Sequence, residues 1–269
     1  LAITNKNKTG FREFLAQKYS LNEFELVEKV SSESLDIYKI LNEFVVFLDS
    51  KGYKPKSIMT RMPAVKGYLR NLGLRFSSED YKQMVRIPRI IRQREEPVTK
   101  ELITKLQRNL PPKLQTVILV LSSSGMRLGE LVQLELDDID FQTHPVTLRL
   151  RAETTKTRTE RETYLTTEAT NSLKEYLKRS FGWKENEANL HLKNTIIFGR
   201  TSKIINPKRK LNPRQPPHLH AESLLHNSLR YFLEKNPGLD NRNKNGRKVV
   251  HFHAFRKYFR TTVGNVCGR

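Results

Sequence analysis

The chain has 269 residues, and its 49 Lys and Arg against 28 Asp and Glu give a formal net charge of +21 at pH 7. That length suits about two domains with proper cores, and 37% hydrophobic residues, with 13 Phe and 9 Tyr, exclude wholesale disorder. The single cysteine, Cys267, excludes a disulfide scaffold and a cysteine-built zinc site, and no apolar run nears the roughly 18 residues of a membrane span. The first ten residues also lack the apolar stretch of a signal peptide. The expectation is an intracellular, soluble, strongly basic protein whose default partner is nucleic acid.

No element is assigned to the first 30 residues. Ser34 then reads as the N-cap of a helix that puts Ile37, Ile40, Leu41, Phe44, Val45 and Leu48 on one face. Lys51-Gly52 ends it, and Pro55 and Ser57 open a second helix over 58–72. In that helix Ile58, Val65, Tyr68 and Leu69 point inward, while Lys54, Lys56, Arg61, Lys66 and Arg70 point outward. Pro63 falls inside it, where a proline kinks a helix or shifts its start. Residues 1–50 are net −2 whereas 51–94 are net +10, so residues 1–94 read as a small all-helical domain with one basic face.

The charged stretch 91–99, with its proline and no apolar period, is the expected linker to a second domain over 95–269. Thr99 caps a helix over 100–109, and Pro111-Pro112 separates it from helices over 114–121 and 126–134. The period then changes. Residues 146–150 alternate as a strand, 153–160 form a polar turn, and 161–165 make a second strand. Thr166 or Thr167 caps a helix through Lys178, Thr195 to Phe198 form a third short strand, and helices follow near 221–234 and 253–263. The fold class expected is mainly α with a small antiparallel β-sheet.

Two stretches hold no acid, from Arg200 to Arg214 and from Arg242 to Arg260. Charge so segregated neutralises several phosphates and makes binding steeply salt-dependent; for the proline-rich 206–217 segment a solvated loop explains the charge equally well. The histidine pairs His218 and His220, and His251 and His253, have no neighbouring cysteine or carboxylate cluster, so no metal or cofactor is expected.

Three other segments carry chemistry. The sequence 122–141 sets Arg127 just after a glycine turn at a helix start, with Glu130 one turn on. The sequence 154–165 sets Lys156 at a hairpin tip, and 251–262 sets His253 and Arg256 on one helical face. Taken alone, Arg127 is an ordinary helix-start arginine paired with Glu130, and Lys156 is a solvated turn residue whose place Arg158 could take. Together, two arginines, a lysine and a histidine suit an anionic phosphoryl centre. Guanidiniums clamp the non-bridging oxygens while an ammonium or imidazole moves protons.

At these residues the chain resembles the tyrosine recombinase, or phage integrase, family. G-M-R-L-G-E-L at 125–131, followed by D-I-D-F at 138–141, resembles the family's first arginine box. Lys156 before T-E-R-E-T-Y-L resembles its mobile β-turn lysine, and H-A-F-R-K-Y-F at 253–259 resembles its H-x-x-R box. The basic helical domain resembles the core-binding domain that clamps DNA, with Lys54, Lys56, Arg61, Lys66, Arg70 and Lys257 as DNA contacts.

The resemblance implies site-specific DNA recombination through a 3′-phosphotyrosyl intermediate, without a metal, on double-stranded DNA and as a tetramer on two sites. Arg127 and Arg256 would grip the scissile phosphate, and Lys156 would protonate the leaving 5′-oxygen. His253 would assist as acid–base and Glu130 would support the site. The family's nucleophilic tyrosine lies beyond the H-x-x-R box, and the sequence ends 13 residues after Arg256. Tyr164, Tyr231 and Tyr258 do not match its place. The expectation is therefore that these residues bind DNA without cutting it. The alternatives are a catalytically inactive DNA-binding protein of the same fold and a type IB topoisomerase. An RNA-binding role ranks lower, since no glycine-aromatic RNP-like run is present.

Overall fold

A computed structural model describes residues 10–90, 96–185, 187, 189–199, 217–242 and 248–267. The chain divides into two compact units, one ending at Gln93 and the other beginning at Arg94. Residues 91–95 of the expected linker lie outside the described residues, as do Arg200, Lys203, Lys208, Arg209, Lys210, Arg214, Lys244 and Arg247 from the acid-free stretches. Among the described residues no helix is long and apolar enough to cross a membrane.

The first unit holds five described helices, α1 (Phe11–Tyr19), α2 (Glu23–Ser31), α3 (Ile37–Ser50), α4 (Pro55–Asn71) and α5 (Ser78–Met84). The six apolar residues expected on one face of α3 are all buried. Each such side chain contributes roughly 1.5–3 kcal/mol of transfer free energy. Phe44 packs edge-on against Phe11 of α1, with ring centroids 5.1 Å apart. α1 and α2 were not anticipated, although α2 begins with a capping box. There the Asn22 side chain accepts from the amides of Phe24 and Glu25 while Glu25 accepts from the amide of Asn22.

Two expectations need correction in this unit. Asp36, not Ser34, caps α3 by accepting from the amide of Tyr38. The Ser34 hydroxyl instead donates to the carbonyl of Lys29, closing the end of α2. Pro63 neither interrupts α4 nor delays its start, which Pro55 supplies at the first helical position. The carbonyl of Met59, which loses its partner at Pro63, sits on the solvent face where water can satisfy it. On the basic face Lys54, Lys56 and Arg70 are exposed. Arg61 and Lys66 are half-buried, stacked 4.1 Å over the Tyr53 ring and 3.8 Å over the Tyr81 ring.

The second unit is built around α7 (Pro112–Ser124), whose run Val117–Leu121 is buried on every side. A helix apolar all round belongs in an interior, and α7 packs against α9 (Thr167–Phe181) and α11 (Phe252–Val266). α6 (Lys100–Asn109) starts at Thr99, whose hydroxyl accepts from the amide of Leu102. Thr166 caps α9 in the same way. The strands β1 (Ile139–Asp140), β2 (Thr147–Leu150) and β3 (Arg161–Tyr164) form an antiparallel sheet in that order, with Leu148 opposite Thr163 and Leu150 opposite Arg161. The remaining described helices are the one-turn α8 (Leu128–Leu131) and α10 (Pro217–Lys235).

The sheet's third strand is thus β1 and not Thr195–Phe198. Ile196 makes a single isolated bridge to Glu135. Ile197 and Phe198 are both buried, which breaks the alternation a strand requires. α8 is also shorter than the expected 126–134. Arg127 is extended (φ −82°, ψ 153°), and the carbonyl of Leu134 accepts from the amide of Ile197 instead of continuing a helix.

Candidate nucleic-acid interface and phosphate site

The site begins where α7 ends. Gly125 takes the left-handed conformation (φ 62°), and its amide closes the helix on the carbonyl of Leu121. A side chain at this position would be strained, and a Cβ atom would lie 2.1 Å from the Phe259 ring of α11. This turn delivers Met126 into the core and Arg127 to the surface rim.

Glu130, one turn along α8, is the centre of the site. Its side chain is 1% exposed, yet four donors converge on it. The amide of Arg127 donates to Oε2 at 2.7 Å and the Arg127 guanidinium to Oε1 at 2.9 Å. From β3, Arg161 donates to Oε2 at 2.7 Å and to Oε1 at 3.3 Å. From α11, a terminal nitrogen of Arg256 lies 4.0 Å from Oε2 and donates at 2.5 Å to the carbonyl of Gly125. Burial opposes ionisation of Glu130, but the Arg127 amide and the guanidiniums of Arg161 and Arg127 hold its carboxyl below the ordinary range.

Three guanidiniums around one carboxylate leave a surplus of positive charge. Their side chains are 37%, 34% and 19% exposed for Arg127, Arg161 and Arg256, so the surplus is partly open to solvent. Burial and the like charges of Arg127, Arg161 and Arg260 push the Arg256 guanidinium below its ordinary value, against the pull of Glu130. Like charges thus crowd Arg256 from three sides, and Glu130 alone relieves them. Arg151, by contrast, is tied into the fold. It donates to Glu135 at 2.7 Å and to the carbonyl of Gln133 at 2.8 Å.

Of the residues singled out in the sequence, the structure gathers Arg127, Glu130 and Arg256. Lys156 is exposed in the turn between β2 and β3 and takes no part in the hydrogen bonds of Glu130. Its turn is pinned by buried Thr155, which donates to the carbonyls of Ala152 and Thr159 and accepts from the amide of Thr159. Arg158 sits in the same turn with positive φ. His253 is exposed one turn ahead of Arg256 on α11, with Lys257 beside it. The His251 ring contacts the carbonyl of Val249 at 3.1 Å. Among the described residues, no three His, Cys, Asp or Glu side chains group as metal ligands do.

Arg161 was missed. Its signal was the strand period: Arg161 and Thr163 share a face, and Thr163 is buried and donates to the carbonyl of Ser124 at 2.7 Å. An arginine on the buried face of a short strand needs a carboxylate, and Glu130 is that carboxylate.

Comparison with known proteins bears on the family and the fold. The sequence model of the phage integrase family matches residues 93–265. Tyrosine recombinase XerA of Pyrococcus furiosus is 29% identical over 152 residues, which take in 55% of this chain and 49% of that protein. The matched stretches therefore span 49% of that relative and 37% of the XerA recombinase of Thermococcus kodakarensis. Among solved structures, the XerH site-specific recombinase bound to palindromic difH substrate aligns with a TM-score of 0.55 at 16% identity, over 91% of this chain and 65% of that one. A lambda integrase tetramer bound to a Holliday junction aligns with a TM-score of 0.52 at 14% identity, over 94% of this chain and 70% of that one. At these identities the structural likeness speaks for the fold.

Proposed function

This chain belongs to the phage integrase family, and from that membership we propose that it serves site-specific DNA recombination, cutting and rejoining strands through a 3′-phosphotyrosyl intermediate without a metal ion. The observation that carries the reading is the buried Glu130 carboxylate, which gathers arginines from three separated segments and leaves them partly exposed.

Arg127 and Arg256 bind the non-bridging oxygens of the scissile phosphate and stabilise the charge that develops on them, the role that fixed donors fill best in a partly dry site. A tyrosine hydroxyl attacks phosphorus, and its proton passes to His253 acting as base. The bond from phosphorus to the 5′-oxygen breaks, and that oxygen takes a proton from Lys156. Lys156 reaches the site by movement of its exposed turn, whose tip Thr155 holds together as a unit. Glu130 fixes the arginines.

Tyr164, Tyr231 and Tyr258, which do not match the nucleophile's place in the sequence, are not the nucleophile of this reading. Tyr164 is exposed on the face of β3 opposite to Arg161, and Tyr231 is exposed on α10. Tyr258 lies two positions from Arg256, about 200° around the helix, and lines a cavity with Val98, Val249 and Ala254. These 269 residues accordingly bind duplex DNA and hold its phosphate without cutting it unaided.

Lys54, Lys56, Arg61, Lys66 and Arg70 in the first unit, and Lys257 in the second, contact the DNA backbone. The stacking of Arg61 and Lys66 on tyrosine rings pre-orders their cationic heads. A transposon integrase in complex with circular intermediate DNA and a lambda integrase tetramer bound to a Holliday junction support DNA as partner and a tetrameric assembly, here taken to sit on two duplex sites.

The test is covalent trapping. Protein expressed from the whole gene is mixed with nicked suicide duplexes carrying candidate sites and resolved on a denaturing gel. A protein–DNA adduct that survives denaturation and disappears on protease treatment is expected. Duplex binding without any adduct would favour a DNA-binding protein that keeps the fold without the chemistry. Sequence-independent relaxation of supercoils would favour a type IB topoisomerase.

A further inference from the structure

The three arginines on Glu130 are not equivalent. Arg161 places both terminal nitrogens on the carboxylate, at 2.7 and 3.3 Å, in the parallel two-point geometry that guanidinium and carboxylate form best. Arg127 commits one terminal nitrogen to it, at 2.9 Å. Arg256 stands back at 4.0 Å and directs that nitrogen to the Gly125 carbonyl.

Arg161 is also fixed from behind. It stands opposite Leu150 across the ladder, and two residues on Thr163 ties β3 to the last residue of α7, just before the Gly125 turn. The strand therefore holds Arg161 in register with the turn that presents Arg127.

We propose that Arg161 is a positioning residue of the phosphate site, which neutralises Glu130 so that Arg127 and Arg256 present their charge to DNA. The inference rests on the recombinase reading above and adds to it a division of labour. One carboxylate beside two phosphate-binding arginines would draw both toward itself and offset one of their two charges. Arg161 takes up that carboxylate by its fork, so that Arg127 spends one terminal nitrogen on it and Arg256 stays back at 4.0 Å.

The charged groups facing Glu130 come from three elements: Arg127 at the start of α8, Arg161 from β3 and Arg256 from α11. The Glu222 carboxylate of α10 reaches beside Gly129, next to Glu130 in sequence.

The test is a double-mutant cycle read by fluorescence anisotropy with a mixed-sequence DNA duplex as probe. The 269-residue chain, R161A, E130Q and the E130Q/R161A double variant are compared at neutral pH. R161A is expected to weaken binding roughly tenfold in the native background. With Gln at position 130 no carboxylate is left to neutralise, and the same change is expected to cost less than about twofold.

A pH series separates positioning from mere structural support. Stripped of two donors, Glu130 in R161A protonates at higher pH than in the native chain. The R161A deficit therefore shrinks at a higher pH than the one at which Glu130 of the native chain is protonated.

An equal loss in both backgrounds would mean that Arg161 acts on DNA directly and would overturn the inference, as would full affinity in R161A. R161M, which keeps the aliphatic stem, carries the same comparison if R161A does not fold. A native chain that binds the duplex without salt dependence would instead reject the recombinase reading, and this inference with it.

Discussion

Replacing Gly125 by alanine is expected to lower the unfolding midpoint of the second unit by roughly 5–10 °C, from a loss of about 2–4 kcal/mol. Two effects add. The left-handed backbone (φ 62°) disfavours any side chain. The new methyl would also lie 2.1 Å from one Phe259 ring carbon and 2.9 Å from the carbon at the ring's base. Because the contact reaches the base of the ring, a small swing of its far end does not relieve it, and α11 must move away from α7. Arg256 lies one turn before Phe259 and bonds the carbonyl of Gly125 itself, so the same movement displaces it. Differential scanning calorimetry reads the stability, and DNA affinity falls along with it. A midpoint within a degree of the native chain would show that the close approach of α7 and α11 does not hold the site.

Glu130→Ala is expected to be the most damaging change within the site, costing about 2–3 kcal/mol. Breaking a buried ion pair by removing one partner commonly costs roughly 3–5 kcal/mol. The lower figure applies here because the three guanidiniums are partly exposed and water takes over some of their bonds. The Arg127 amide also loses its acceptor.

Two comparisons identify the cause. Glu130→Gln keeps the volume and one acceptor oxygen, and its midpoint is expected to fall between those of the native chain and the alanine variant. Added duplex DNA is expected to raise the midpoint of E130A more than that of the native chain, since phosphate oxygens fill the place of the lost carboxylate among the arginines. Equal midpoints for all three proteins would deny Glu130 its organising role.

Much of the fold was legible because local signals agreed with tertiary ones. Thr99 and Thr166 announce α6 and α9 as caps, and both hydroxyls accept from amides three residues on. The α3 stripe is buried throughout. The sequence was less informative where two signals competed. Ser34 and Asp36 are both good caps, and only the packing of α2 draws Ser34 away to Lys29. β1 is two residues long and shows no period of its own, whereas Thr195–Phe198 resembles a strand in composition yet pairs through a single bridge.

In the site, Arg127, Glu130 and Arg256 were readable as a constellation of residue types. Arg161 was hidden, because an arginine after a polar turn looks solvated until the strand alternation is applied to it. What fixes the face it shares with Thr163 is the register of the β2–β3 hairpin, which pairs Leu150 with Arg161.

In the proposed function, Arg127 and Arg256, set around Glu130, form the place where a DNA phosphate binds. The most direct test of that claim is a salt titration of duplex DNA binding by the 269-residue chain, R127A and R256A. Each phosphate contact contributes close to one to the slope of log affinity against log salt. The native chain should show a steep negative slope. Each variant should be shallower by about one while keeping most of the binding free energy. Slopes indistinguishable from the native value in both variants would contradict the claim, whatever happened to the affinity itself.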